Sequence, residues 1–266
     1  TPIGSMEDLD AASLEDVTAF FRTWYAPDNA VLSIVGDVDE GPALEAAQRY
    51  FGPIPAAGGF PPFVAPDGPT RIGREIREVV PDAVPLERVH FGFRMPPFGR
   101  PEYDAMEVAS QILAGGKGSR LHRRLVRDER IAQDVTAFAL PLVGGSTIFA
   151  GWVTARPESD AATVEAAYLE ELQRMVDEPV TADELARAQA LIESSELSAL
   201  GRVEEVADRL SMFATYFDRP ELINEQLGRY LAVDAAAIQR AATEIFRADN
   251  RAVITYVPAV RQEAAA

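Results

Sequence analysis

An apolar pattern with helical spacing runs almost unbroken from Ser159 to about Phe246, and strand-like patterns precede and follow it. Thr181 and Glu184 have the spacing of a capping box, which predicts that one of these helices begins there. Strands are predicted at Arg71–Val80, Leu86–Met95, Gln133–Leu140, Ser146–Ala155 and Arg251–Val257. Because strands and helices are segregated, the order predicts an α+β fold, with an antiparallel or mixed sheet and helices packed on one face.

The segment Leu86–Met95 alternates as a strand with one covered face does. Its apolar set is Val89, Phe91, Phe93 and Met95, and its polar set is Arg88, His90 and Arg94. His90 is therefore interpreted as a surface or interface histidine rather than as a metal ligand.

The segment Ala114–Val135 carries the only lysine and a dense run of arginines. A predicted helix, Pro101–Leu113, ends at Gly115–Gly118, where glycines supply the positive φ angles of a tight turn. Ser119 is predicted to cap a short basic helix, and a hairpin follows. The glycines are not interpreted as a phosphate cradle, because no strand precedes them and Lys117 is not in a phosphate-loop frame.

The N-terminal part of the chain reads as helix, strand, helix. Ser13 and Asp16 resemble a capping box for a helix that runs to about Tyr25. The apolar run Ala30–Val35 is predicted to be a buried strand, and Pro42–Phe51 a second helix. This piece is too small to bury a core of its own, so it is predicted to be the end of a domain that starts upstream.

The domain prediction has four parts. Residues 1–52 are the end of a truncated first domain, 53–70 a Pro/Gly-rich linker, 71–258 a complete second domain, and 259–266 a disordered tail. A long surface loop within one domain is the alternative to the linker.

Charge and composition exclude several classes of partner. A net charge of -17 opposes binding to nucleic acid and to anionic membranes. No apolar run approaches the length of about 18 residues that a membrane span requires. The absence of cysteine excludes disulfides and thiol catalysis but fixes no compartment, so localisation stays open, with the cytoplasm favoured.

Four stretches resemble consecutive segments of one known family: Phe20–Asp37, Leu113–Leu121, Leu125–Val135 and Thr181–Ala188. In this order they are similar to the pitrilysin/insulinase-type zinc metallopeptidases, which include the mitochondrial processing peptidases. The matching part is C-terminal to the zinc motif of that family. The resemblance implies repeated α+β domains that face each other as a clamshell, with one complete half supplied by this chain.

In that family the first domain carries zinc on an inverted H-x-x-E-H motif. The motif is absent here, and the only histidines, His90 and His122, have no second histidine nearby. The chain is therefore predicted to hold no catalytic residue and no metal ligand. Zinc is expected in the full-length parent.

Many relatives also supply, from the second domain, an arginine and a tyrosine seven residues apart that bind substrate. The matching positions here are substituted, by Val126 and Gln133. Arg123, Arg124 and Gln133 are the substrate-side candidates. The same segment also contains Arg120, Arg127 and Arg130. For all five arginines two interpretations stay open: ion pairs with nearby carboxylates, or contact with a peptide or partner.

The predicted function is the non-catalytic, C-terminal portion of a zinc-dependent endopeptidase acting on peptides. It would close the substrate chamber and contact the first domain or a partner subunit. The alternative is a non-enzymatic assembly or core subunit with the same fold, and a complete α+β binding module is a third possibility. A homodimer and a heterodimer with a related subunit are both left open.

Overall fold

The computed structural model describes residues 4–61 and 69–259, and these contain one five-stranded mixed sheet. The strands are β1 (Ile76–Asp82), β2 (Arg88–Met95), β3 (Ala132–Ala139), β4 (Thr147–Ala155) and β5 (Arg251–Pro258). Their order in the sheet is β1-β5-β2-β4-β3. β1 and β5 pair in parallel, whereas the other neighbours are antiparallel.

Nine α-helices occur in the described residues. They are α1 (Met6–Ala11), α2 (Leu14–Trp24), α3 (Glu40–Phe51), α4 (Pro101–Ala114), α5 (Ala161–Asp177), α6 (Ala182–Leu200), α7 (Val203–Phe217), α8 (Gln226–Leu231) and α9 (Ala235–Ile245). A π-helix spans His122–Asp128. The predicted α+β fold is confirmed, and the helices predicted after Ser159 are present, with 220–231 divided into a 3-10 turn and α8.

One face of the sheet forms the core. Val89, Phe91, Phe93 and Met95 of β2 are buried, while the residues between them are only partly covered. Helices α4, α5 and α9 lie against this face, and Tyr168 of α5 stacks on Phe91 with the ring centroids 4.3 Å apart. A shift of one residue would move the whole buried set to the other face, so burial itself determines the register.

Both predicted capping boxes form. At the start of α6, the Thr181 amide donates to the Glu184 carboxylate at 2.9 Å, and the Glu184 amide donates to the Thr181 hydroxyl at 3.2 Å. At the start of α2, Ser13 and Asp16 make the same reciprocal pair at 3.0 and 3.1 Å. Aspartate therefore serves in place of the usual glutamate or glutamine.

The prediction of a strand at Ala30–Val35 is wrong. The segment has no regular structure, and Val31, Leu32 and Ile34 are exposed. A strand must pair its backbone groups, and no other strand forms within residues 4–61. The strand predicted from Arg71 is confirmed only from Ile76 onward.

The capping prediction for Ser119 is right in position only, because its carbonyl accepts from the Arg123 amide at 2.9 Å where the helix begins, but its side chain does not cap the first turn. Its hydroxyl donates to the Gly116 carbonyl at 2.8 Å, and Gly116 has a φ of 72°, so the serine closes the glycine turn. The basic segment His122–Asp128 is helical as predicted, but its turns are wide. The Glu129 amide donates to the Arg124 carbonyl, five residues back, at 2.8 Å.

The chain divides into two compact units. One comprises residues 1–64 and 198–224, and the other comprises residues 65–197 and 225–266, with the whole sheet. The domain boundaries drawn from the sequence stay predictions, and residues 62–68 of the linker and 260–266 of the tail lie outside the described residues. No helix in the described part has the length and apolar character needed to cross a membrane.

Candidate functional site

The sheet face opposite the helices carries a row of partly exposed rings. His90 pairs across the strands with Trp152 and Ile254. Its ring centroid lies 6.1 Å from that of Trp152 and 5.6 Å from that of Tyr256. Phe138 lies 6.0 Å from Trp152 on its other side. We call this surface the open face and define it by His90, Trp152, Tyr256 and Phe138.

A polar network holds one end of the open face. The Trp152 indole donates to the Asp134 carboxylate at 3.1 Å. The Arg88 Nε donates to the Thr154 hydroxyl at 2.8 Å, and its Nη2 lies 3.8 Å from Asp134. These contacts fix the indole plane and occupy much of the Arg88 guanidinium.

A β-bulge brings Gln133 to the same end of the sheet. Ala132 pairs with Ala155 and Asp134 with Thr154, so Gln133 is the extra residue in β3. Bulges change the direction of a side chain, and here Gln133 is exposed and lines a cavity of about 320 Å³. The lining residues are Asp82, Val84, Pro85, Leu86, Arg88, His90, Gln133, Thr154 and Tyr256.

The imidazole in this cavity is held in its neutral form. Burial lowers the pKa of His90 below its ordinary value, and the positive charge of Arg88 lowers it further. A neutral imidazole has one nitrogen that donates a hydrogen bond and one that accepts. His90 can therefore bind either kind of polar group at neutral pH.

The predicted substrate-side arginines, Arg123 and Arg124, do not line this cavity. Arg124 forms ion pairs with Glu129, Glu170 and Glu171 at 2.6, 2.6 and 3.2 Å, while Arg123 is exposed. Neither arginine is among the described lining residues of the cavity. A substrate contact by Arg123, Arg124 or Gln133 stays a prediction.

The other arginines of the segment mostly pair with carboxylates. Arg120 forms a bidentate contact with Glu184 at 2.7 and 2.8 Å, and Arg127 pairs with Asp128 at 2.7 Å. Val126, which takes the place of the family arginine, is half-buried on the π-helix. These contacts support ion pairing as the role of Arg120, Arg124 and Arg127.

The donor set of the described residues does not fit a zinc ion. Among the described residues, no group of three His, Cys, Asp or Glu side chains could hold a metal. His90 is flanked by two aromatic rings and lies near Arg88, and His122 lies on the π-helix with its Nδ1 buried and unpartnered. Because a catalytic zinc requires three protein ligands, no catalytic step is assigned to zinc bound here.

Sequence reasoning missed Tyr256 and Trp152. Both belong to the open face only because β4 and β5 lie on either side of β2. Alternation within β5 would have placed Tyr256 on the face opposite the buried Val253, but no local signal indicates that β5 is inserted next to His90.

The fold and the site together define an α+β domain with one helix-covered sheet face, one open aromatic face and no metal-binding cluster in its described part. A family model described as the peptidase M16 inactive domain matches residues 11–192. The match spans well over half of the chain, so this protein belongs to the peptidase M16 inactive domain family. The resemblance found in the sequence is thereby confirmed.

Individual proteins agree with this assignment. Zinc protease PqqE of Helicobacter pylori is 25% identical over 252 residues, which cover 93% of this chain and 55% of the relative. The crystal structure of a protease from Helicobacter pylori matches with a TM-score of 0.88 and 23% identity, over 97% of this chain and 62% of that one. The peptidase M16 inactive domain from Pseudomonas fluorescens matches with a TM-score of 0.79 and 18% identity, over 98% and 61% of the two chains.

The chain spans about half the length of the curated relatives it matches. Those relatives come from bacteria and are named zinc proteases. The chain is accordingly an inactive, C-terminal peptidase M16 domain of the zinc-protease-like proteins.

Proposed function

We propose that this domain closes over an extended peptide in a peptidase M16 protein and presents its open face to that peptide. The zinc chemistry belongs to another domain of the same protein or to a partner subunit. The observation that carries the proposal is the asymmetry of the sheet: one face is buried under α4, α5 and α9, while the other exposes rings and a polar cavity.

An extended peptide matches the chemistry of the open face. A peptide offers apolar side chains and hydrogen-bonding amides in alternation, and the open face offers apolar rings beside the neutral His90 and the Gln133 amide. Covering the rings releases free energy in proportion to the apolar area removed from water. Closure of the open face over a peptide also removes water from the site that this face covers.

Trp152 gives a direct test of peptide binding. The chain has two tryptophans, so Trp24→Phe leaves Trp152 as the only one. We expect an unstructured peptide to change the fluorescence of this variant in a saturable manner, because Trp152 lies on the open face. The same peptide, incubated with the wild-type chain and added zinc, should remain intact by mass spectrometry.

A second variant shows whether the signal comes from the open face. Trp152→Phe retains Trp24 and should give no saturable change. The proposal fails if Trp152 does not respond to any peptide while the protein is folded, or if the chain cleaves the peptide. Folded protein without peptide binding would favour the alternative of a non-enzymatic assembly subunit.

A further inference from the structure

We infer that the cavity at the β-bulge is a side-chain pocket for an aromatic residue with a hydroxyl group, namely a tyrosine of the bound peptide. The inference rests on the proposed function, because it concerns the specificity of the open face for its peptide. The apolar side of the pocket comes from the loop between β1 and β2, with Val84, Pro85 and Leu86. Its polar side comes from three strands, with His90, Gln133 and Tyr256.

The size of the cavity suits one large side chain. Its volume of about 320 Å³ lies at the small end of the range of about 300–1,000 Å³ found for ligand pockets. The His90 and Tyr256 rings are tilted by 73° relative to each other, so they form two sides of a corner. An aromatic ring in that corner meets one ring by its edge and the other by its face, which are the favoured geometries.

The polar groups of the pocket remain available to a ligand. Among the hydrogen bonds of the described residues, none engages the His90 imidazole, the Gln133 amide or the Tyr256 hydroxyl. A ligand hydroxyl can donate to one of these groups and accept from another. A purely apolar side chain would cover these groups without pairing them, which costs free energy.

The charges around the pocket argue against an ionised side chain. Asp82 and Arg88 contribute one charge of each sign to the lining. Arg88 already donates to Thr154 and faces Asp134. A glutamate would enter a partly desolvated site whose one lining cation already has partners, and a lysine would meet only Asp82, an exposed carboxylate whose ion pair with a cation is worth little.

A series of matched peptides tests the pocket on the Trp24→Phe protein. The peptides are blocked at both ends and differ only in one central residue, which is tyrosine, phenylalanine, leucine, glutamate or lysine. We expect the phenylalanine peptide to bind about fivefold tighter than the leucine peptide because of the aromatic contacts. The hydroxyl should add about another fivefold for tyrosine over phenylalanine.

Two variants assign the preference to this cavity. Gln133→Ala should remove the preference for tyrosine over phenylalanine and leave phenylalanine binding intact, which also shows that the variant is folded. Tyr256→Ala should reduce the preference for aromatic residues over leucine. Gln173→Ala is the matched control, since Gln173 is an exposed glutamine of α5 whose amide pairs with Asp177 at 2.8 Å.

The outcomes separate the two proposals. If all five peptides bind equally and Trp152 responds, the proposed function stands and the pocket inference is overturned. Tightest binding of the glutamate or lysine peptide, or a tyrosine preference that survives in Gln133→Ala, overturns the pocket as well. If no peptide binds, both proposals are overturned.

Discussion

The hydroxyl of Tyr168 occupies the space that a Cβ atom at Gly151 would need. The same hydroxyl donates to the Thr136 carbonyl at 3.0 Å, and the tyrosine ring stacks on Phe91. Complete burial raises the pKa of Tyr168 well above its usual range, so the phenol stays protonated and remains a donor. One side chain of α5 thus contacts three adjacent strands, and a glycine makes that approach possible.

We expect Gly151→Ala to lower the free energy of unfolding by about 1–3 kcal/mol, because the added methyl meets the Tyr168 hydroxyl and the Thr136 carbonyl. Urea denaturation measures the change. Gly92→Ala in β2 is the control, since no heavy atom lies within 4 Å of its added Cβ. The double variant Gly151→Ala, Tyr168→Phe should recover part of the loss. Equal losses in the two alanine variants would contradict this account.

Glu184 should make folding stability sensitive to acid. Hydrogen bonds from Arg120 and Thr181 lower the pKa of Glu184 from 4.5 to about 2. Because the folded value is the lower one, this stabilisation is complete above about pH 4.5 and is lost as the pH falls towards 2. Because the side chain is partly exposed and solvent screens the ion pair, this stabilisation amounts to roughly 1–2 kcal/mol.

Glu184→Gln should therefore be less stable than the wild type at pH 7 and should lose less stability on acidification. Denaturation curves recorded across this pH range measure both effects. Asp183→Asn is the control, since Asp183 is exposed beside it. A wild-type acid response that persists unchanged in Glu184→Gln would show that other carboxylates dominate.

Asn250 joins three segments of the sheet unit, and its removal should be costly. The residue is fully buried, and its amide donates to the Arg94 and Ile245 carbonyls at 2.8 and 2.9 Å while accepting from the Ile72 amide at 3.1 Å. Asn250→Ala leaves buried groups unpaired, so we expect a loss of about 2–4 kcal/mol. Hydrogen exchange at the Ile72 amide should accelerate, and an unchanged rate there would refute the assigned contact.

Arg124 and Arg123 should differ in their effect on stability. Glu171 is 1% exposed and contacts Arg124 at 3.2 Å and Arg174 at 3.0 Å. Arg124→Ala takes one of the two cations from a buried carboxylate, so we expect a loss of about 1–3 kcal/mol. Arg123→Ala, at an exposed position, should change stability by less than about 0.5 kcal/mol. Thermal and chemical denaturation of the pair measure the contrast, which similar values would contradict.

The features that follow from local periodicity were predictable. The alternation in Leu86–Met95 shows which side of β2 is buried, and the capping spacing of Thr181 and Glu184 marks the first turn of α6. Both signals depend on residues close together in the chain. Ala30–Val35 has an equally apolar sequence, but a strand also needs a partner, which its own sequence does not specify.

The candidate site could be predicted only in part, for the same reason. The sequence named Gln133 as a substrate-side candidate and His90 only as a surface or interface histidine. Their proximity depends on the pairing of β2 with β4 and on one unpaired residue in β3. The hydrogen bonds of the π-helix at His122–Asp128 reach five residues back instead of four, a difference that apolar spacing does not resolve.

The position of β5 determines when the sheet can be completed during protein synthesis. Among the described strands, β1 pairs only with β5, and Ile76 is aligned with Ala252. β1 is therefore synthesised before nearly all the rest of its unit, and its partner strand β5 is synthesised much later. Closure over such a long intervening chain makes folding slow and leaves backbone edges unprotected in the nascent protein. A chain that lacks residues 251–258 therefore cannot join β1 to β2 through these pairings.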